Sequence, residues 1–121
     1  MKILLVDDDP GILEVMSKML AHRGHAVQTC PTPFGVSATI VREPPDVVVL
    51  DVMMPGLGGA ALATLISKLE LPRPPRLILW SAVDDDALRT ASREAGGVAT
   101  VSKAMRASEI VTAIERIAAR S

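Results

Sequence analysis

Aromatic rings are almost missing from this chain: Trp80 and Phe34 are its only tryptophan and phenylalanine, and it has no tyrosine. A core must therefore be aliphatic, and the 49% hydrophobic content, mostly Val, Leu, Ile, Ala and Met, supplies one. The 121 residues suffice for a single such core. Cysteine is nearly absent as well. Cys30 stands alone, which excludes an internal disulfide, implies a reducing compartment and reads as a half-buried thiol at a strand end. Neither sign of charge predominates, with 13 Lys and Arg against 14 Asp and Glu, so there is no basic footprint for nucleic acid or an anionic membrane. No apolar run approaches the roughly 20 residues of a spanning helix. The opening Met1-Lys2-Ile3-Leu4-Leu5-Val6 meets Asp7 without the apolar length or cleavage site of a signal peptide. A soluble, cytoplasmic protein with no membrane association is expected.

What is present is alternation. The apolar runs Ile3–Val6, Ala26–Thr29, Val47–Leu50, Leu77–Trp80 and Val98–Val101 read as strands covered on both faces, as in a parallel sheet. Helical patterns separate them. In the first, Ile12, Met16, Met19 and Leu20 share a face with Leu13 beside it; Asp9 is placed to cap it, Pro10 suits its first position and Gly24 can end it. Further helices are expected from about Phe34 to Arg42, Gly59 to Leu69, Asp84 to before Gly96-Gly97, and Arg106 to Ala119. The last has a poorly marked start, and buries Ile110, Ile114 and Ile117. Five strands alternating with five helices predict a three-layer α/β domain with right-handed crossovers.

In an open parallel sheet, ligands collect at the carboxyl ends of the strands. Asp7-Asp8, Asp51, Ser81 and Lys103 all stand there. Three carboxylates brought together repel unless a cation joins them, and a hard divalent ion such as Mg²⁺ suits carboxylates plus a backbone carbonyl, here that of Met53. The plainer reading of Asp7-Asp8-Asp9 alone is a solvated turn with a helix cap. Lys103 by itself is a surface charge; beside those carboxylates it is a phosphate binder. Ser81 can donate its hydroxyl to a phosphoryl oxygen. Asp51, ending the central strand among apolar neighbours, is the residue expected to attack phosphorus. Met53, two residues on, cannot act as acid or base, so an acyl phosphate on Asp51 is expected to persist.

These runs resemble the receiver domain of bacterial two-component response regulators. The resemblance covers essentially the whole chain, from Ile3-Leu4-Leu5-Val6-Asp7-Asp8-Asp9-Pro10 onward. Its most specific stretch is Pro45-Asp46-Val47-Val48-Val49-Leu50-Asp51-Val52-Met53-Met54-Pro55-Gly56, joined to Ser81-Ala82 and Lys103. The resemblance implies a flavodoxin-like (βα)5 fold with strand order 2-1-3-4-5. It implies Asp51 as phosphoacceptor, Asp7 and Asp8 as the acidic pocket, and Asp8, Asp51 and the Met53 carbonyl as Mg²⁺ ligands. Ser81 becomes the switch hydroxyl and Lys103 the phosphoryl contact. A sensor histidine kinase or phosphotransfer protein is the implied donor. The surface of the fourth helix, fifth strand and fifth helix is then read by a downstream protein or a second copy of the domain. Residues 1–121 are expected to form one receiver domain with no output domain, and no enzyme beyond its own phosphorylation and slow dephosphorylation.

Several positions depart from that pattern. Ala104 replaces the proline usual after Lys103, so a trans peptide bond is expected there, because a cis bond before Ala costs about 3 kcal/mol. Thr100 stands where an aromatic ring usually swings inward, and Gly58 where an Asp usually caps the third helix. Trp80 is unusual before Ser81; it is either core or, facing the last two helices, a partner anchor. His22 and His25 read as surface histidines, Asp84-Asp85-Asp86 as a helix cap, Arg73 and Arg76 as loop charges. Two rival functions remain open: an interaction module that works without phosphorylation, favoured by Thr100 and Ala104, and a Mg²⁺-dependent phosphatase, which Met53 argues against.

Overall fold

In the computed structural model, which describes residues 1–120, the apolar runs form β1 (Lys2–Val6), β2 (Ala26–Cys30), β3 (Val47–Asp51), β4 (Arg76–Ser81) and β5 (Ala99–Ser102). Between and after them lie α1 (Pro10–His22), α2 (Val36–Arg42), α3 (Gly59–Ser67), α4 (Asp85–Glu94) and α5 (Ala107–Ala118). All strand pairs are parallel, in the order β2-β1-β3-β4-β5. The winding therefore reverses between β1 and β3, which opens a crevice above their carboxyl ends.

Side chains alternate across a strand, and both faces are used. Ile3, Leu5, Val47, Val49, Ile78 and Trp80 pack against Leu13, Met16 and Leu20 of α1 and Ile110, Ile114 and Ile117 of α5. Their neighbours Leu4, Val6, Val48, Leu50 and Leu79 pack against α2, α3 and α4, through Ile40, Leu62, Ile66 and Leu88 among others. Each fully buried aliphatic side chain contributes roughly 1.5–3 kcal/mol. The near-unbroken Val/Leu/Ile runs follow from having helices on both sides.

Local signals account for most boundaries. Asp9 Oδ1 accepts from the Gly11 amide (2.9 Å) with Pro10 at the first helical position, and Asp84 Oδ1 accepts from the Ala87 amide (2.8 Å). The second helix starts later than the pattern predicts. Gly35, at φ +85°, takes a left-handed conformation that no helix continues through, so Phe34 is left outside, 67% exposed. On α1 the fully buried face is Leu13, Met16 and Leu20, with Ile12 and Met19 flanking it. The start of α5 is marked by a residue within the helix: the Arg106 amide donates to Glu109 Oε1 (3.4 Å).

Three expectations are corrected. β2 is not covered on both faces; Ala26, Gln28 and Thr29 are exposed, because β2 is an edge of the sheet and α2 has only 7 residues. His25 is not a surface histidine: its side chain is 12% exposed and its Nε2 lies 2.8 Å from Glu115 Oε2 on α5, where Arg23 also pairs with Glu115. Arg76 is the first residue of β4 rather than a loop charge, and donates to the Arg120 carbonyl.

Candidate functional site

The carboxyl ends of β1, β3, β4 and β5 carry the chemistry. Asp7 directly follows β1, Asp51 and Ser81 end β3 and β4, and Lys103 directly follows β5. Parallel register sets their heights: Asp51 pairs with Trp80, and Ser81 with Ser102. Main-chain bonds then lace the rim together. The Lys103 amide donates to the Ser81 carbonyl (2.9 Å), the Val52 amide to the Trp80 carbonyl (3.2 Å), and the Asp7 amide to the Cys30 carbonyl (3.1 Å).

Asp7, Asp51 and Ser81 are the buried polar residues of the described chain, at 0%, 4% and 2% exposure. Asp8 is exposed, at the mouth. One carboxylate oxygen from each of Asp7, Asp8 and Asp51 falls within 4.8 Å of the others. Asp7 Oδ1 accepts from the Asp9 amide (2.9 Å), and Asp51 Oδ1 accepts from the Met53 amide (3.3 Å). Lys103 Nζ forms an ion pair with Asp7 Oδ2 and lies 3.4 Å from Asp51 Oδ1. The Asp7 Oδ2 contact is an ion pair only: that buried atom accepts no well-formed hydrogen bond. One ammonium cannot balance three carboxylates. The surplus shows at Asp51, whose carboxyl is pushed up to about 6, first by burial and then by Asp7, against the pull of Lys103 and the Met53 amide.

A buried carboxylate oxygen that accepts no hydrogen bond, two further carboxylates within reach and a hard all-oxygen donor set fit a small divalent cation. Ser81 Oγ accepts from the Val83 amide (3.2 Å), which leaves its hydroxyl hydrogen free to point elsewhere. Every residue expected at the site from the sequence is on this rim, the Met53 peptide included, although the Met53 side chain is 66% exposed.

Two contacts of the site had no reading in the sequence, one between Lys103 and Trp80 and one between Gly59 and Asp51. Lys103 Nζ lies 5.2 Å from the centre of the Trp80 ring. Trp80 is fully buried and its Nε1 donates to the Val6 carbonyl (3.4 Å), so it is core and cannot anchor a partner. Gly59, at the start of α3, lies against Asp51, and a Cβ there would stand 2.3 Å from the Asp51 carbonyl oxygen. The Lys103–Ala104 bond is trans, as expected; no cis peptide occurs among the described residues.

The model of the response regulator receiver domain matches residues 3–115. The chain belongs to the response regulator receiver family. Among relatives of this receiver domain, TcrX of Mycobacterium tuberculosis is 34% identical over 121 residues, covering 98% of this chain and 50% of TcrX. A protein-glutamate methylesterase/protein-glutamine glutaminase of Rhodospirillum rubrum is 31% identical over 106 residues, covering 84% of this chain and 28% of that protein. The chain thus spans half or less of the length of both relatives. Among solved structures, the BeF3-activated N-terminal receiver domain of Klebsiella pneumoniae RstA aligns with a TM-score of 0.84 at 25% identity, over 99% of this chain and 100% of that one. The receiver fold and strand order are those the sequence implied. No described helix of this receiver is long and apolar enough to cross a membrane.

Proposed function

We propose that this receiver domain takes a phosphoryl group on Asp51 from the phosphohistidine of a sensor kinase or phosphotransfer protein, and signals through the surface formed by α4, β5 and α5. The observation that carries this is the placement of the buried Asp51 carboxylate beside Asp7 and 3.4 Å from the Lys103 ammonium. An Asp51 oxygen attacks phosphorus; the O–P bond forms as the histidine N–P bond breaks, and the electron pair leaves on the imidazole nitrogen. Lys103 faces the charge on the transferring oxygens, and the Ser81 hydroxyl donates to one of them. Asp7, Asp8 and Asp51, with the Met53 carbonyl, would hold Mg²⁺; bound there, the ion offsets negative charge on the phosphoryl oxygens.

With Met53 two residues past the acceptor, no side chain at that position draws a proton from water, so the acyl phosphate lasts long enough to serve as a signal. The chain acts as a phosphoacceptor and not as an enzyme on other substrates. Its effect is exerted through binding of a downstream protein or a second receiver, without direct contact with nucleic acid or membrane, in the cytoplasm. The partner surface shifts only as far as the two states differ in affinity.

The test is incubation with Mg²⁺ and acetyl phosphate, followed by intact mass. One phosphate adduct is expected on the wild type and none on Asp51→Asn. An adduct that persists in Asp51→Asn moves the acceptor elsewhere. No adduct on either favours the second reading, a phosphorylation-independent interaction module. That reading rests on Thr100 in β5 where a switching ring is usual, and on the exposed Ala104 after Lys103.

A further inference from the structure

We propose that Trp80 is the positioning residue for Lys103, holding its ammonium over the indole face so that it points at the acceptor carboxylates. The inference rests on the Asp51 reading and deepens it. Lys103 has a single main-chain tether at the rim, its amide on the Ser81 carbonyl (2.9 Å). The next residue, Ala104, is exposed, and its amide turns back to Ser102 Oγ (3.1 Å). What fixes the long, flexible Lys103 side chain must therefore lie at its far end.

Two kinds of group meet it there. The carboxylates of Asp7 and Asp51 attract the ammonium, but a hydrogen bond to either would take up one of its N–H donors. The Trp80 ring, 5.2 Å from Nζ, attracts the cation through its π face and takes up none. An ammonium has three donors; held by an aromatic face, it keeps them for the carboxylates and for an incoming phosphoryl oxygen. The ring itself cannot drift. It is fully buried, and its Nε1 donates to the Val6 carbonyl, one residue before Asp7. One rigid side chain on β4 thus ties the end of β1, which carries an acidic residue, to the lysine that follows β5. Register supports the same arrangement, since Trp80 pairs with Asp51 on one side and with Val101 on the other.

The experiment has two arms on the intact chain. In the first, NMR of the wild-type protein locates the Lys103 ε-methylene protons. An upfield ring-current displacement is expected, lost in Trp80→Met and reduced in Trp80→Phe; random-coil shifts for those protons in the wild type overturn the proposal without any variant. In the second, Mg²⁺-dependent phosphorylation by acetyl phosphate is timed for wild type, Trp80→Phe and Trp80→Met, each alone and combined with Lys103→Met. Trp80→Phe keeps an aromatic face and loses the indole N–H; Trp80→Met loses both. We expect Trp80→Met to slow phosphorylation by roughly 2- to 30-fold, Trp80→Phe by less, and neither to slow it further once Lys103 is Met. Equal rates for Phe and Met, or equal slowing in the Lys103→Met background, assign Trp80 a core role only. If wild type gains no phosphate, the Asp51 reading fails and this inference falls with it. If wild type is phosphorylated and the Trp80 variants match it, this inference alone fails.

Discussion

The backbone of Gly59 lies so close to Asp51 that a Cβ on Gly59 would stand 2.3 Å from the Asp51 carbonyl oxygen. The Gly59 amide meanwhile donates to the Val52 carbonyl (3.1 Å). The start of α3 is thus locked against the end of β3, and the intruded atom is backbone, which cannot rotate away. Gly59→Ala should destabilise the fold by about 1–3 kcal/mol, the range for forced overpacking. It should also displace Asp51. Urea unfolding measures the first, and the acetyl phosphate rate the second. An unchanged midpoint would show that the contact relaxes freely.

Asp51 carries the opposite sign of effect from most surface carboxylates. Its carboxyl ionises near 6 in the folded protein against an ordinary 3.8, chiefly through burial. The folded state therefore binds an extra proton between those two values. The resulting stability is complete below about pH 4 and is lost as pH rises through 6. Asp51→Asn, which never ionises, should escape that loss. In chelator, the variant should gain on wild type as pH rises from 4 to 7, reaching on the order of 3 kcal/mol. Denaturant titrations at several pH values test this as a difference, in which the other titrating groups largely cancel. A constant difference across that window contradicts it.

Asp8 is the exposed member of the acid cluster, and this separates its role from stability. Asp8→Asn should leave the melting temperature in chelator within a degree or so of wild type, since exposed substitutions are nearly neutral. Added Mg²⁺ should raise the melting temperature of the wild type, by about 2.7 kcal/mol of stability at 100-fold the dissociation constant. That rise should shrink or vanish in the variant. Equal Mg²⁺ stabilisation of both proteins would remove Asp8 from the ligand set.

Glu115 ties α5 to the turn between α1 and β2 through one carboxylate, with Arg23 on Oε1 (2.5 Å) and His25 on Oε2 (2.8 Å). Glu115→Ala should cost about 1–2 kcal/mol, because it leaves the mostly buried His25 ring nitrogen without that partner. Amide exchange in α5 should speed up more than in α3, whose helix packs on the other face of the sheet. Uniform acceleration would mean that the contact supports the whole domain rather than α5.

Much of this was legible without coordinates, for a local reason. Val47–Asp51 reads as a buried strand because five consecutive apolar or strand-ending residues leave no polar face, and Asp9-Pro10 announces a helix because a cap acts within three residues. The ends of α2 and α5 were less readable. A left-handed Gly35 delays one helix, and Glu109 reaches back to start the other, both weaker marks than a Ser or Asp cap. β2 misled because an edge strand and a central strand share the same local apolar bias, and only the neighbours decide which is which.

By itself the sequence determined the element types and placed Asp7, Asp51, Ser81 and Lys103 at or beside strand ends, since hydrophobic period and capping depend on near neighbours along the chain. It also supplied the acidic and basic groups that later meet. Tertiary structure alone decided that Asp7 and Asp51 would be buried, that Asp51 would ionise near 6, that Gly59 would press on Asp51, and that Lys103 would rest over Trp80. Those properties arise from desolvation and contact between residues far apart in the chain, and no local pattern encodes a distance across a sheet.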